Sequence, residues 1–205
     1  PRVLVVGGGR IGAGLERLYQ DPEIELVSFD IYESPFVHFI ADAHNIPLPD
    51  LAFDAVIIQA VLEHVLVPTM VVKEIHRVLR NDGLVYAETP FLQHVHEGPF
   101  DFTRYTDSGH RYLFKNFRLV SAGASTGAGT QLLWSLDFFV RGVFRSKTAG
   151  KIFKVIMFWL KYFDQVIPDA HNLDSASGLF FLGKKTLDHK PLNVKDIISY
   201  YKGAQ

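Results

Sequence analysis

The sequence predicts an α/β fold in which a mostly parallel sheet is doubly wound by crossover helices. Three observations carry that expectation. Short β-branched runs alternate with helix-period segments through the first 120 residues. One run, FDAVIIQ at 53–59, is almost unbroken in its apolarity, as a central strand covered on both faces requires. The opening run, VLVV at 3–6, leads directly into a glycine turn, where such sheets bind ligands.

Taken in order, VLVV is followed by the turn and a helix expected over about 11–20. IELVSFD at 24–30 and FVHFIAD at 36–42 read as the second and third strands. FDAVIIQ is the fourth, and a helix follows over about 66–80, with Val71, Val72, Ile75, Val78 and Leu79 at helical spacing. Asn81-Asp82-Gly83 is read as its stop, before a fifth strand at 83–90. Residues 91–106, rich in histidine, aromatics and charge, read as a loop. FRLVSAGAS at 117–125 and SGLFFLGKK at 177–185 complete the strands. Two apolar helical patterns, about 130–146 and 149–165, lie between them.

A chain of 205 residues buries one sizeable core, so it is read as one domain, 1–205, with a helical insertion at about 130–175. Twenty-one basic residues against 22 acidic ones leave no charge excess that would call for a nucleic-acid partner. A small-molecule or sugar substrate fits better. The lack of cysteine excludes disulfides, thiolate metal sites and cysteine nucleophiles. No basic-then-apolar leader opens the sequence, and no apolar run reaches the roughly 18–20 residues of a membrane span, so a cytoplasmic location is expected.

Gly7-Gly8-Gly9-Arg10-Ile11-Gly12 lets the backbone turn sharply and approach a ligand without an intervening Cβ. Asp30, at the end of the second strand, is placed to hydrogen-bond a ribose diol. Together they predict an adenosine-containing cofactor. Gly7-x-Gly9-x-x-Gly12 also matches the dinucleotide fingerprint, which keeps a nicotinamide-dependent oxidoreductase or epimerase open. No Tyr-x-x-x-Lys pair supports that alternative.

Residues 41–90 bear on the choice. Asp42-Ala43, Ile46-Pro47-Leu48-Pro49-Asp50, Phe53-Asp54, Val61-Leu62-Glu63-His64, Glu74-Ile75-x-Arg77-Val78-Leu79, Gly83 and Pro90 occur in series. In this the chain resembles the class I S-adenosylmethionine-dependent methyltransferases, particularly those that methylate small molecules and sugars. The resemblance implies a Rossmann-like sheet of seven strands with the last antiparallel. It also implies S-adenosylmethionine as cofactor, with Asp30 on the ribose hydroxyls and Ile31 against the adenine. Asp42 would accept from the adenine amino group, the Ala43 amide would bind a ring nitrogen, and Gly7 and Gly9 would adjoin the methionine part. Gln59 would lie beneath the methionyl group. An acceptor beside an amide donor is what the edge of neutral adenine needs. Val6 stands where that family usually has an acidic residue, and Ile11 where its third glycine often falls. A non-catalytic domain therefore remains the third alternative.

His96, Glu97, Pro99, Asp101, Arg104, Tyr105 and Thr106 resemble a segment found in a subset of these methyltransferases associated with polysaccharide biosynthesis. A hydroxyl acceptor must lose its proton, and a histidine suits that task, so His96 and His94 are the candidate bases, His96 first. Asp101, Arg104 and Tyr105 are candidate substrate-binding residues, though Arg104 could equally pair with Asp101 or Glu97. His94, His96 and Asp101 are too loosely spaced to predict a metal, and none is expected. The insertion is read first as a cap over the acceptor pocket, with its remaining aromatics in core. A homodimer contact or peripheral membrane contact through residues 130–165 are the alternatives, and Asp164, Asp169 and His171 could close the pocket from that side.

Overall fold

The computed structural model describes residues 1–205. In chain order the elements are β1 (Arg2–Val6), α1 (Glu16–Gln20), β2 (Glu25–Asp30), β3 (Phe39–Ile40), β4 (Phe53–Gln59), α2 (Pro68–Val78) and β5 (Leu79–Pro90). They continue with α3 (Asp107–Leu113), β6 (Arg118–Thr126), α4 (Ala128–Phe144), α5 (Lys147–Ile156), α6 (Asp169–Asp174), β7 (Gly178–Lys184) and α7 (Val194–Tyr200). Seven strands form one sheet in the order β3-β2-β1-β4-β5-β7-β6, and β7 runs antiparallel to both neighbours. This is the expected mostly parallel, Rossmann-like arrangement.

The register fixes where ligands can meet the sheet. Val6 lies opposite Phe29 on one side and Ile58 on the other, and Gln59 lies opposite Glu88. Gly7, Asp30, Gln59 and Glu88 therefore emerge together at the carboxyl edge, where open α/β sheets bind ligands. Beneath them the two faces are unequally covered. Leu4, Val6, Val56, Ile58, Val85 and Ala87 pack with Val71, Val72, Ile75 and Val78 of α2 in a large core that includes Phe114, Phe117 and Phe181. On the other face the buried apolar cluster is just Val3, Val5 and Ile57, beneath Leu18 and Tyr19 of α1 and the preceding Leu15.

Several boundaries differ from the sequence expectation. The helix expected over about 11–20 is helical only from Glu16, because Gly12 and Gly14, the latter at φ +84°, carry the chain through a turn first. The third strand shrinks to Phe39–Ile40. Asn81-Asp82-Gly83 does not stop α2, which ends at Val78; it forms an irregularity within β5, where the pairing with β4 jumps from Leu79 to Leu84. The buried Lys185 ammonium donates to the His76 and Leu79 carbonyls at 2.7 and 2.8 Å, satisfying groups at the end of α2. Two helices outside the insertion were not foreseen. Thr106 caps α3 by accepting from the Gly109 amide at 3.2 Å, and Asn193 with Asp196 forms a capping box on α7.

The insertion departs furthest. The second helical pattern splits into α5 and a 3-10 helix, Phe158–Gln165. Close approaches organise it: a Cβ on Gly150 would run into Asp137 and Arg141, and one on Gly129 into the Leu160 carbonyl. Its aromatics are not core. Leu133 and Leu160 are its buried large apolar residues, whereas Phe139 and Phe144 are 68% and 67% exposed. Two helices on one edge of a sheet have only their inner stripe to bury.

Candidate cofactor and acceptor site

The glycine turn is built against β2. The Gly7 and Gly8 amides both donate to the Phe29 carbonyl, at 3.0 and 2.9 Å. Gly7 is left-handed at φ +75°, and a Cβ there would run into Val61. Asp30 fastens the turn with both oxygens, accepting from the Gly9 amide at 2.8 Å and the Ile31 amide at 2.7 Å. A Cβ on Gly9 would stand 2.7 Å from that carboxylate. Asp30 is thus a structural clamp first, and its remaining lone pairs are what a diol could use. Ile31 is exposed on the adjoining surface.

Asp42 follows β3 and is turned locally by His44. Its Oδ1 accepts from the His44 amide at 2.8 Å and lies 2.6 Å from His44 Nδ1. Those two hydrogen bonds, the amide foremost, hold the carboxyl below its ordinary range. His44 Nε2 accepts from the Val67 amide at 3.2 Å, so its proton sits on Nδ1. Oδ2 of Asp42 makes no hydrogen bond, and the amide of the buried Ala43 has no acceptor within the protein. An acceptor and a donor remain side by side. The loop after them is held by Arg77, which reaches Glu74, Asp50 and the Leu48 and Ile46 carbonyls.

Gln59 does not simply face the ligand edge. Its amide nitrogen donates to Glu88 at 2.9 Å and to the Ala13 carbonyl at 3.3 Å, bracing the loop after the glycines. Its carbonyl oxygen is buried without a donor. A Cβ on Gly12 would run into that oxygen. Glu88, which sequence reasoning missed, is held by Gln59 and by the Tyr86 hydroxyl. Its signal was its place: an acidic residue closing β5 directly opposite Gln59.

Across this edge the 91–106 loop is pinned to the end of β4, because the Phe102 and Thr103 amides donate to the Glu63 carbonyl at 2.8 and 3.3 Å. Asp101 and Arg104, expected to touch substrate, grip one another instead. The guanidinium forks onto the carboxylate, one arm at 2.6 Å, and also donates to the Gln93, Thr103 and His94 carbonyls. Arg104 brings the Asp101 carboxyl down to about 2. Asp101 also accepts from the His96 amide at 2.9 Å, so the pair shapes the loop. Tyr105 is half-buried, and burial pushes its hydroxyl up.

The two candidate bases sit differently. The His94 ring stacks on Phe138 of α4, centroids 4.3 Å apart and 8° from parallel, with Nδ1 buried and unpartnered. That stack joins the insertion to the acceptor loop. The His96 Nε2 lies 3.6 Å from Oε1 of Glu63, whose side chain is fully buried; this neighbour raises the histidine above its ordinary value, against its burial. The His64 Nε2 lies 3.7 Å from the same oxygen. The sequence offered Glu63 and His64 as motif residues without a role; no spacing relates them to His96, which the fold brings in from another strand end. Asp164 is committed to Thr130 and α4, away from these histidines. Asp164 and Asp169 line a cavity of about 640 Å³, and it belongs to the β6 edge, beyond β5 and β7 from the cofactor turn.

Residues 7–87 match a family model described as a methyltransferase domain. No curated protein matches the sequence. Among solved structures, the chain is similar to a SAM-dependent methyltransferase from Archaeoglobus fulgidus, with 18% identity over 90% of this chain and 86% of that one, TM-score 0.58. It is also similar to phosphoethanolamine N-methyltransferase 2 from Haemonchus contortus in complex with S-adenosyl-L-methionine, with 17% identity over 90% and 48% of the two chains, TM-score 0.57. The cyclase SpnF gives 16% identity over 90% and 74%, TM-score 0.57. Such distant likenesses establish the fold, and a cyclase among them illustrates that the fold does not choose the reaction.

The sheet order argues against the nicotinamide alternative. Dinucleotide domains of the 3-2-1-4-5-6 type lack an antiparallel strand inserted beside the fifth, as β7 is here. The residues present suit S-adenosylmethionine: a Cβ-free turn, the free Asp42 oxygen beside the Ala43 amide, and the donorless Gln59 oxygen beside Glu88 for an ammonium group. The domain match over residues 7–87 and the order of this sheet make the chain similar to the class I S-adenosylmethionine-dependent methyltransferases.

Proposed function

We propose that the protein methylates an oxygen or nitrogen of a small molecule or glycan precursor, which approaches over the 91–106 loop. The observation that carries this reading is the convergence, at one sheet edge, of an adenosyl-type cradle with the buried Glu63 beside His96. Bound in that cradle, S-adenosylmethionine supplies an activated methyl carbon. The chain's own task is then to orient the acceptor, exclude water and take up a proton. His96, made more basic by Glu63, suits proton removal from a hydroxyl. The Asp101–Arg104 pair sets its position through the His96 amide. Phe138 covers His94 from the insertion, which supports the cap reading.

A second feature bears on where the acceptor comes from. Lys147, Lys151, Lys154 and Lys161 stand among the exposed Phe144, Ile152, Val155, Phe158 and Trp159, and no acidic residue lies between 138 and 163. Basic charge beside exposed aromatics supports peripheral contact with an anionic membrane surface, over a homodimer of like-charged faces. No helix is long and apolar enough to cross a membrane. Calorimetric titration tests the cofactor side: S-adenosylhomocysteine should bind and NAD should not. Binding of NAD alone would return the chain to the oxidoreductases, and binding of neither to the non-catalytic domains.

A further inference from the structure

The structure assigns a second ligand to the acceptor side: Glu63, His64 and His96 form a site for one divalent transition-metal ion of the zinc type. Three lone-pair donors converge there. Glu63 is fully buried, and neither of its carboxylate oxygens has a hydrogen-bond partner. His64 Nδ1 lies 2.7 Å from the Phe100 carbonyl, which can only accept, so Nδ1 carries the proton and the neutral ring presents a lone pair at Nε2. That nitrogen faces Oε1 of Glu63 at 3.7 Å. His96 repeats the arrangement. Its Nδ1 faces two acceptors, the His94 carbonyl at 3.4 Å and Asp101 Oδ2 at 3.6 Å, which turns Nε2 toward Oε1 of Glu63 at 3.6 Å. The two rings meet edge to face, centroids 4.9 Å apart.

A buried carboxylate without a hydrogen-bond partner, opposite two imidazole nitrogens, is a favourable place for a cation. A proton on either ring does not span the gap, since 3.6 and 3.7 Å are too long for a hydrogen bond. Arg104, the other cation at this loop, is committed to Asp101. An ion spans it. Zinc holds nitrogen and oxygen donors at about 2.0–2.2 Å, which spaces its ligands about 3.4 Å apart around a tetrahedron. The three donor atoms already lie within 4.8 Å of one another. Closing the widest gap requires a ring shift of at most about 1.4 Å to reach that tetrahedral spacing. Two nitrogens and one oxygen suit zinc and its neighbours in the series better than magnesium or calcium. The Nδ1 contacts to a carbonyl and a carboxylate are those that fix ring orientation around bound metals.

This set differs from the His94, His96 and Asp101 trio that the sequence discounts: His94 is stacked on Phe138 and Asp101 is held by Arg104, leaving His96 as the shared member. Three protein donors leave a fourth position open, as sites that act on a substrate do. An acceptor hydroxyl bound there loses its proton to water more readily, and His96 then acts through the ion. That role rests on the methyl-transfer reading; the ion binding does not.

The test is metal content of the full chain after loading with zinc and desalting, with cobalt(II) absorption as the geometric readout. One ion per chain and visible d–d bands of a four- or five-coordinate site are expected. Both should be lost in Glu63→Gln and His96→Ala and kept in His171→Asn, a surface histidine. Zinc-free wild type, or stoichiometric zinc retained in Glu63→Gln and His96→Ala, overturns the site. Circular dichroism of the same samples shows that the variants are folded, and S-adenosylhomocysteine affinity is measured alongside. That affinity separates two failures: binding of the homocysteine without zinc sinks this inference alone, and zinc without the homocysteine sinks the cofactor reading alone.

Discussion

Asp30 and Asp42 look alike in the sequence, each an aspartate just after a strand, yet the structure gives them different work. Both oxygens of Asp30 hold amides of the turn, whereas Asp42 keeps one oxygen free. Asp42→Ala should therefore weaken S-adenosylhomocysteine binding roughly tenfold to a hundredfold, the range of a lost charged hydrogen bond, with little change in melting temperature. Asp30→Ala should weaken binding and lower the melting temperature together. Unchanged affinity in both variants, measured by calorimetry, would mean the cradle lies elsewhere. His96→Ala should abolish turnover while homocysteine affinity stays within a few-fold, because His96 stands across the edge from the glycine turn. The free Asp42 oxygen beside the Ala43 amide was legible as a pair because the two residues are adjacent in the chain. The Asp101–Arg104 pairing was legible as an alternative, since only the folded loop decides whether a guanidinium meets its neighbour or a ligand.

At the scale of elements, the strands were read best and the connections least well. VLVV and FDAVIIQ announce themselves by composition, since a strand buried on both faces has no polar side to disguise it. The first helix was overestimated because Leu15, Leu18 and Tyr19 keep an apolar stripe while Gly12 and Gly14 release the backbone ahead of it. Periodicity in the insertion was real, and its inference of burial was not. Exposed aromatics interleaved with lysines on α5 and the 3-10 helix after it lead to a measurable expectation. The protein should float with vesicles containing about a third phosphatidylserine and stay behind with neutral ones, and the association should weaken as salt is raised. Glutamate substitutions at Lys151 and Lys154 should reduce flotation severalfold. Equal flotation on neutral vesicles, or concentration-dependent dimers in place of flotation, would count against the lipid reading.

For the whole molecule, the heavier of the two cores also holds its pH-sensitive point. His110 of α3 is buried against Phe114 and Phe181, with Nε2 lacking a partner, and burial pulls it down to about 3. The folded state thus keeps this ring neutral where the unfolded chain, with an ordinary value of 6.5, takes up a proton. Stability is lost as pH falls below that unfolded value and continues to fall toward 3. Melting temperature should drop between pH 6.5 and 4.5, above the range where Asp42 and Asp101 protonate. A His110→Leu variant should show a flatter curve there. A wild-type curve that is level across that interval would show that the ring is not the sensitive group.

The amino-acid order alone determined the strand-turn-helix opening and the placing of Asp30 and Asp42 just after their strands, because those features depend on neighbours a few positions apart: backbone freedom at glycine, a carboxylate closing a strand, apolarity repeating at a fixed period. Only the tertiary structure decided which histidine meets Glu63, that Arg104 is already occupied, and that the aromatic helices face outward. Each of these turns on groups far apart in the chain being drawn to one place by the sheet, and on the balance between burying a polar atom and satisfying it, which no local pattern records.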